Sequence, residues 1–337
     1  MVRRPCVRVH RSVGEEVRRR LAKEGILDPR YKPFERNGYI YFPITRRERL
    51  EEVLEEEFEE RVSGPRTLKE ALEKKLPEGL LEKVPSSYDI VGEIAVIELP
   101  RELKPYERAV GEALMSIHPR VRTVLAKGGT RGIFRVRELR VIAGSGTTET
   151  THREHGCIYK LDLARMFFNP RMSGERLRIA RMVKPGEKVL DMFAGVGPFS
   201  ILIAKLQPDA RILAIELNPE AYKYLLKNIE VNKVKDRVRA VWGNVGEVLR
   251  NLKENFDRII MDLPRDSLKY LPIALKRSKA GTVIHLYWNG SDTEEAFKDI
   301  GKIAEKHGRD LKLLNVRRVM ETAPRTYTWA IDMEVSS

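Results

Sequence analysis

The sequence predicts an α/β protein with a mainly parallel sheet and helices on both faces. Three observations carry this. From about residue 172 strand-like and helical runs alternate. A glycine-rich turn, Asp191-Met-Phe-Ala-Gly195-Val-Gly197-Pro-Phe, joins the first such strand to the first such helix. The last two strand-like runs, LKLLNVRRVM and YTWAIDMEV, have no helix between them and predict a hairpin at the sheet edge. A length of 337 residues gives room for two smaller α/β or α+β domains before this fold. The expected division is 1–62, 66–165 and 166–337.

Taken in order, VRVHRS alternates as a strand, GEEVRRRLAKEG reads as a helix stopped by Gly25, and NGYIYFPI as a turn leading into a strand. EEVLEEEFEE (51–60) spaces Leu54 and Phe58 four apart and predicts an amphipathic helix with an acidic outer face. Gly64–Pro65 marks a linker, and a helix is expected at 67–75. IAVIEL, RVIAG and CIYKLDL read as strands, 104–119 as a helix ending at Pro119, and GGTRG (128–132) as a flexible basic turn. The strands of the final domain are KVLDMF, ARILAIEL, RVRAVWG, DRIIMDLP and GTVIHLYW. Its helices are PFSILIAKL, PEAYKYLLKNIEVN, VGEVLRNL, SLKYLPIALKRS and TEEAFKDIGKIAEKHG. Phe167, Phe168 and Trp288 are expected in the core.

Charge narrows the function. The chain carries 63 Lys and Arg against 49 Asp and Glu, a formal charge of +14. Residues 1–50 alone hold 14 basic and six acidic residues. Residues 120–140 add Arg120, Arg122, Lys127, Arg131, Arg135, Arg137 and Arg140 against the single acid Glu138. Such surfaces attract polyanions, with nucleic acid the first candidate. No apolar run is long enough to span a membrane, and the amino-terminal residues lack an export core. Cys6 and Cys157 match no zinc spacing or disulfide framework, so a reducing cytoplasm is expected. Abundant Lys, Arg and Glu beside a single glutamine, Gln207, follow a thermophile tendency.

The glycine turn lets the backbone approach a ligand closely, and the helix after it offers free N–H groups. Ser200 stands where dinucleotide-binding turns place a third glycine, and an acid, Asp191, precedes the turn. That arrangement resembles the first motif of class I S-adenosylmethionine methyltransferases, where the acid lies near the amino-acid end of the cofactor. Glu216 ends the next strand, 25 residues beyond Asp191, placed to accept both ribose hydroxyls. Asn244 follows the third strand, placed to accept the adenine amino group. Asp262-Leu-Pro264-Arg ends the fourth. There amino-methylating relatives carry Asn or Asp followed by two prolines, and this chain departs at Leu263 and Arg265.

His152-Arg153-Glu154, Phe167-Phe168-Asn169-Pro170-Arg171, Gly174-Glu175-Arg176, the Asp191 turn and Asp262-Leu-Pro complete a wider likeness. Together with GEEVRRRLAKEGILDPRYKP and YIYFPI they resemble the archaeal and eukaryotic tRNA (guanine-N1)-methyltransferases acting at tRNA position 37. The resemblance implies a small reader of the tRNA elbow at 1–62, a middle RNA-contacting domain and a Rossmann-like catalytic domain. It implies S-adenosyl-L-methionine as cofactor and tRNA as partner, with a monomeric, membrane-free enzyme expected. Methyl transfer to a tricyclic wyosine precursor, or aminocarboxypropyl transfer, is the alternative. Glu175 matches the family's general base, and Arg135 its charge-stabilising arginine, with Arg137 or Arg153 as substitutes. Cofactor contacts fall on Arg176, Asp191, Phe193, Ala194, Gly195, Gly197, Glu216, Leu217, Asn244, Val245 and Asp262. Substrate contacts fall on Arg153, Asp262 and Pro264. On residue type alone, Glu175 and Arg176 read as a surface ion pair, and His152 and His155 as exposed loop residues.

Overall fold

The computed structural model describes residues 1–47, 53–60, 64–131 and 136–336. The chain forms two units, Met1–Ala71 and Leu72–Ser337.

In the first unit a four-stranded antiparallel sheet runs in the order Phe34–Arg36, Tyr39–Pro43, Val2–His10, Leu54–Phe58. Cys6, Tyr31, Tyr41 and Phe58 form one apolar cluster. Leu21 of the helix Gly14–Lys23 joins Ile26, Phe42 and Ile44 in another. Gly25 ends that helix with φ at +65°, as a stop requires.

The acidic run is the first correction. Its described part, residues 53–60, holds the strand Leu54–Phe58 and no helix. Leu54, Glu56 and Phe58 share a strand face as readily as Leu54 and Phe58 share a helix face. Tertiary pairing decides between them. Arg3 stands opposite Glu57 and Arg4 opposite Glu56 in the ladder. Arg36 pairs with Glu56, and Lys32 reaches Glu59 at 2.8 Å. A free helix would stack like charges one turn apart, whereas the strand alternates them with cations.

The division between the units falls within the short helix Leu68–Leu72, and the second unit continues from its last residue. A four-stranded sheet follows in the order Asp89–Val91, Ile94–Ile97, Thr123–Arg131, Val136–Gly144, with the helix Glu107–Ile117 against its last two strands. The expected flexible turn at 128–132 is also corrected. Residues 128–131 continue the strand, and a register shift between Lys127 and Thr130 takes up the two glycines. The basic patch is partly neutralised in place. Arg122 pairs with Glu93 at 3.2 Å, Lys127 with Asp89 at 3.1 Å, and Arg140 with Glu107.

The large sheet has seven strands in the order Val238–Trp242, Arg211–Glu216, Lys188–Asp191, Phe256–Met261, Ser278–Gly290, Thr326–Val335, Leu311–Ala323. The first five are parallel, and the last two form the expected antiparallel edge hairpin. Strand order reverses at Lys188–Asp191, which opens a crevice at the carboxyl ends. One continuous core joins Val91, Ile94 and Leu125 to Tyr159, Phe168, Ile179, Leu202 and Leu225. The smaller sheet and the large one therefore share a core inside the second unit. A second core lies among Leu190, Met261, Leu271, Ile284 and Ile300.

Candidate active site

Asp191, Glu216, Trp242 and Asp262 all lie at or just past the carboxyl ends of parallel strands, because the β-α repeat places each strand end on one rim. The turn after Asp191 needs its glycines. Gly195 has φ +55° and Gly197 φ +88°. A Cβ on Gly197 would stand 2.5 Å from Leu225 Cδ1. Pro198 opens the next helix at a permitted first-turn position. The Gly195 amide donates to Glu216 Oε2 at 2.6 Å, and the Asn218 amide to Oε1 at 2.7 Å. Ala194 is buried, and Phe193 meets Tyr270 edge to face.

Asp191 is 1% exposed. Its Oδ2 accepts the Ser200 hydroxyl at 2.6 Å, which explains a serine at that position. Its Oδ1 is buried without a well-formed hydrogen bond. Burial pushes the acid up to about 7, with the Ser200 hydroxyl opposing and the charges of Asp262 and Glu216 adding to it. Burial likewise raises Asp262 to about 6, against the nearby Arg176. Burial raises Glu216 as well, opposed by the Asn218 and Gly195 amides. This cluster of three buried acids, with the Oδ1 of Asp191 left without a well-formed hydrogen bond, fits a cationic ligand. Asn244 caps the helix Val245–Arg250, its Oδ1 accepting the Gly246 amide at 2.8 Å. Leu217 is exposed beside Trp242, whose indole N–H donates to the Leu217 carbonyl at 3.1 Å. Leu217 was expected among the cofactor contacts, whereas Trp242 went unread in the sequence, where RVRAVWG reads only as a strand.

A second set of residues gathers around the helix Ser173–Met182. Glu175 is 2% exposed and is no surface residue. The Arg178 guanidinium donates to it at 2.6 Å and the Tyr287 hydroxyl at 2.9 Å, while Arg317 stands 3.2 Å away. Arg176 is not its partner. It is buried, donates twice to Glu154 at 2.7 Å and once to the Asn169 carbonyl, and lies over the Phe168 ring. The donors of Arg176, a residue expected among the cofactor contacts, are turned to Glu154 in this structure. Burial works against the charge on Glu154, but His152 and Arg176 hold that acid at about 2.

His152 is thus half-buried on a strand, while His155 occupies the exposed turn and contacts Ser173. Phe168 is buried, but Phe167 is 50% exposed, contrary to expectation. Arg135 lies outside the described residues, and Arg137 is on the strand Val136–Gly144. Arg153 is exposed and lines a cavity of about 1020 Å³ with Arg120, Lys160, Tyr224 and Lys227. None of the cofactor-side residues lines it. The Pro264 carbonyl accepts the Asn289 amide at 3.0 Å, tying the Asp262 segment to the neighbouring strand.

Two buried asparagines went unrecognised in the sequence. Asn228 and Asn232 bond both backbone groups of Lys160 and Ile158 respectively, and Asn228 also donates to the Val196 carbonyl. They clamp the hairpin Glu149–Asp162 and the glycine turn to one helix. Their i, i+4 spacing on that helix was the available signal.

Three family models cover most of the chain: the tRNA methyltransferase 5 N-terminal domain over residues 6–50, the TYW2 N-terminal domain over 68–147, and the TRM5/TYW2 methyltransferase domain over 150–313. The chain is 40% identical to the tRNA (guanine(37)-N(1))-methyltransferase Trm5b of Pyrococcus abyssi, spanning 98% of this chain and 99% of that protein. The chain belongs to the TRM5/TYW2 methyltransferase family. A TRM5/TYW2 relative of different activity, the tRNA(Phe) (4-demethylwyosine(37)-C(7)) aminocarboxypropyltransferase of Pyrococcus horikoshii, is 34% identical across 80% of this chain and 96% of its own. Among solved structures, the complex of aTrm5 with tRNALeu matches with a TM-score of 0.75 at 32% identity, covering 98% of this chain and 99% of that one.

Proposed function

We propose that this TRM5/TYW2 chain transfers the methyl group of S-adenosyl-L-methionine to N1 of the guanosine at tRNA position 37. The observation that carries this is the end-to-end likeness to Trm5b. The aminocarboxypropyl relative covers only 80% of this chain, which favours guanosine N1 over the wyosine-precursor alternative.

The cofactor, when bound, supplies an electrophilic methyl on a sulfonium. The unfilled Oδ1 of Asp191 is available to its ammonium, and Glu216 to the ribose hydroxyls. Gly195, Gly197, Phe193 and Ala194 shape the turn beside it. Leu217 and Val245 flank the adenine end with Asn244, which keeps its amide N–H groups and one lone pair free while capping its helix. Asp262 and the Pro264 carbonyl hold the Watson–Crick edge of the guanine, and Glu175 takes the N1 proton. Arg135 is the proposed partner of the charge that develops on O6. Arg153 and the cavity around it hold RNA backbone.

Residues 1–62 serve as the tRNA-elbow reader, 66–165 as the RNA-contacting middle domain and 166–337 as the catalytic domain. The enzyme works as a monomer in the cytoplasm. Among the described residues no helix is long and apolar enough to cross a membrane.

The test is nucleoside mass analysis of tRNA transcripts incubated with labelled cofactor. Transcripts with guanosine at position 37 yield 1-methylguanosine, and those with adenosine there yield none. Equal incorporation into both overturns the assignment. Glu175→Gln lowers the single-turnover rate by about 10²–10⁴-fold and keeps cofactor affinity.

A further inference from the structure

Arg178 stands between two buried carboxylates. Its guanidinium donates to Glu175 at 2.6 Å and to both oxygens of Asp332, at 2.6 and 3.1 Å. Asp332 is fully buried and also meets His285 Nδ1 at 2.6 Å and Asn315 Nδ2 at 3.4 Å. The Nε2 of His285 faces an Arg258 N–H at 2.7 Å. Arg258 is in turn held by Glu187 at 2.8 and 3.0 Å. A guanidinium has only donors, so Nε2 accepts and Nδ1 carries the proton toward Asp332. Burial keeps His285 neutral despite Asp332, with Arg258 on the side of burial. Burial opposes the charge on Asp332, yet His285 and Arg178 hold that acid well below the usual carboxylate range. Asp332 therefore stays a full anion.

Glu175 meets a matching problem. Its oxygens are already occupied by Arg178 and by Tyr287, whose phenol burial and Glu175 keep protonated. Arg317 approaches from the edge strand, and the charge of Asp262 acts from the end of the strand Phe256–Met261. Arg176 is engaged with Glu154. A proton on either oxygen of such a carboxylate turns an acceptor into a donor and opposes a guanidinium that can only donate. Of its donors, Arg178 is the one already bonded to a second anion.

We propose that Asp332 is a positioning residue for methyl transfer, drawing Arg178 away from Glu175 as Glu175 takes the guanine N1 proton. The inference rests on the reading of Glu175 as the base. In that step the N1–H bond breaks and the proton joins a Glu175 oxygen. The N1 electron pair bonds to the methyl carbon, and the electrons of the broken S–C bond stay on sulfur. The positive charge of Arg178 shifts toward Asp332, so no unpaired guanidinium is left buried.

The experiment is the pH profile of single-turnover methylation of a guanosine-37 transcript, with cofactor affinity by calorimetry as the check on folding. In Asp332→Asn, Arg178 has no rival anion. The acid limb moves to lower pH, the rate falls about tenfold or more, and the Michaelis constant for tRNA holds. Asp332→Glu restores part of the rate. Arg178→Gln, which leaves Asp332 its His285 and Asn315 contacts, moves the acid limb to higher pH, and the partial rate and limb shift of Asp332→Glu, which displaces the anion and keeps its charge, decide the matter if Asp332→Asn does not fold. Glu175→Gln at the wild-type rate overturns the base reading underneath. A slow Glu175→Gln, with the Arg178→Gln profile unmoved, overturns the inference and leaves that reading standing.

Discussion

Asp191 and Glu175 are both almost wholly buried acids, and their surroundings are opposite. Asp191 receives one short hydrogen bond, from Ser200, and keeps an oxygen without a well-formed one. Glu175 is crowded by Arg178, Arg317 and Tyr287. The cofactor side thus holds charge in reserve for a cationic ligand and sacrifices stability to do so. The Glu175 side is neutralised from within, by two guanidinium groups and a phenol. The difference follows from origin. Cofactor-side acids stand at the ends of parallel strands, beside backbone amides and one hydroxyl. Base-side groups come from the helix Ser173–Met182 and three strands that pack face to face, where an unpaired charge is costly.

The largest test strikes the balanced side. Arg258→Met leaves Glu187 without its buried cation and His285 without its donor. Denaturant unfolding should show a loss of about 3–5 kcal/mol. A loss under about 1 kcal/mol would mean that the charge chain is not balanced as the geometry indicates.

The intermediate test reverses the sign on the cofactor side. The folded state raises Asp191 from 3.8 to about 7, so it binds this proton more tightly than the unfolded chain does. That contribution to stability is complete below the unfolded value and is lost as pH rises through the folded one. Asp191→Asn should therefore melt higher than wild type at pH about 8 and match it near pH about 4. The same variant should bind cofactor more weakly, by about 1.5–3 kcal/mol for a hydrogen bond to a charged group. Wild-type affinity, followed by calorimetry, should tighten as pH rises through the range of Asp262 and Asp191, about 6 to about 7. An apo protein that melts lower after the substitution would sink the comparison.

The smallest effect belongs to the first unit, where Arg3 and Glu55 face each other across 4.0 Å with much of both side chains in water. Arg3→Ala should shift thermal unfolding by no more than about 0–1 kcal/mol. A larger loss would show that the Arg-to-Glu ladder holds the strand Leu54–Phe58 in place more firmly than solvent-screened pairs allow.

The glycine turn and the strand-end acids were legible because these residues sit on local signals. Asp191, Gly195, Gly197 and Glu216 lie within one β-α-β stretch, and the turn needs glycine for reasons the backbone alone supplies. The base side was only partly legible. Glu175 stood out by family likeness, but Arg178, Tyr287, Arg317 and Asp332 span more than 150 residues and share no motif. The acidic run misled for a related reason, since Leu54 and Phe58 satisfy helix and strand spacing alike.

The amino-acid sequence by itself determined the strand–helix alternation from about residue 172, the glycine turn and the excess of positive charge, because these rest on periodicity, local backbone sterics and simple counting. Only the tertiary structure decided which charges meet. It placed the glutamates of 54–58 against arginines, turned Arg176 toward Glu154, and gave Arg178 to two acids at once. Desolvation makes burial the arbiter of ionic partners, and burial is set by which distant segments pack together.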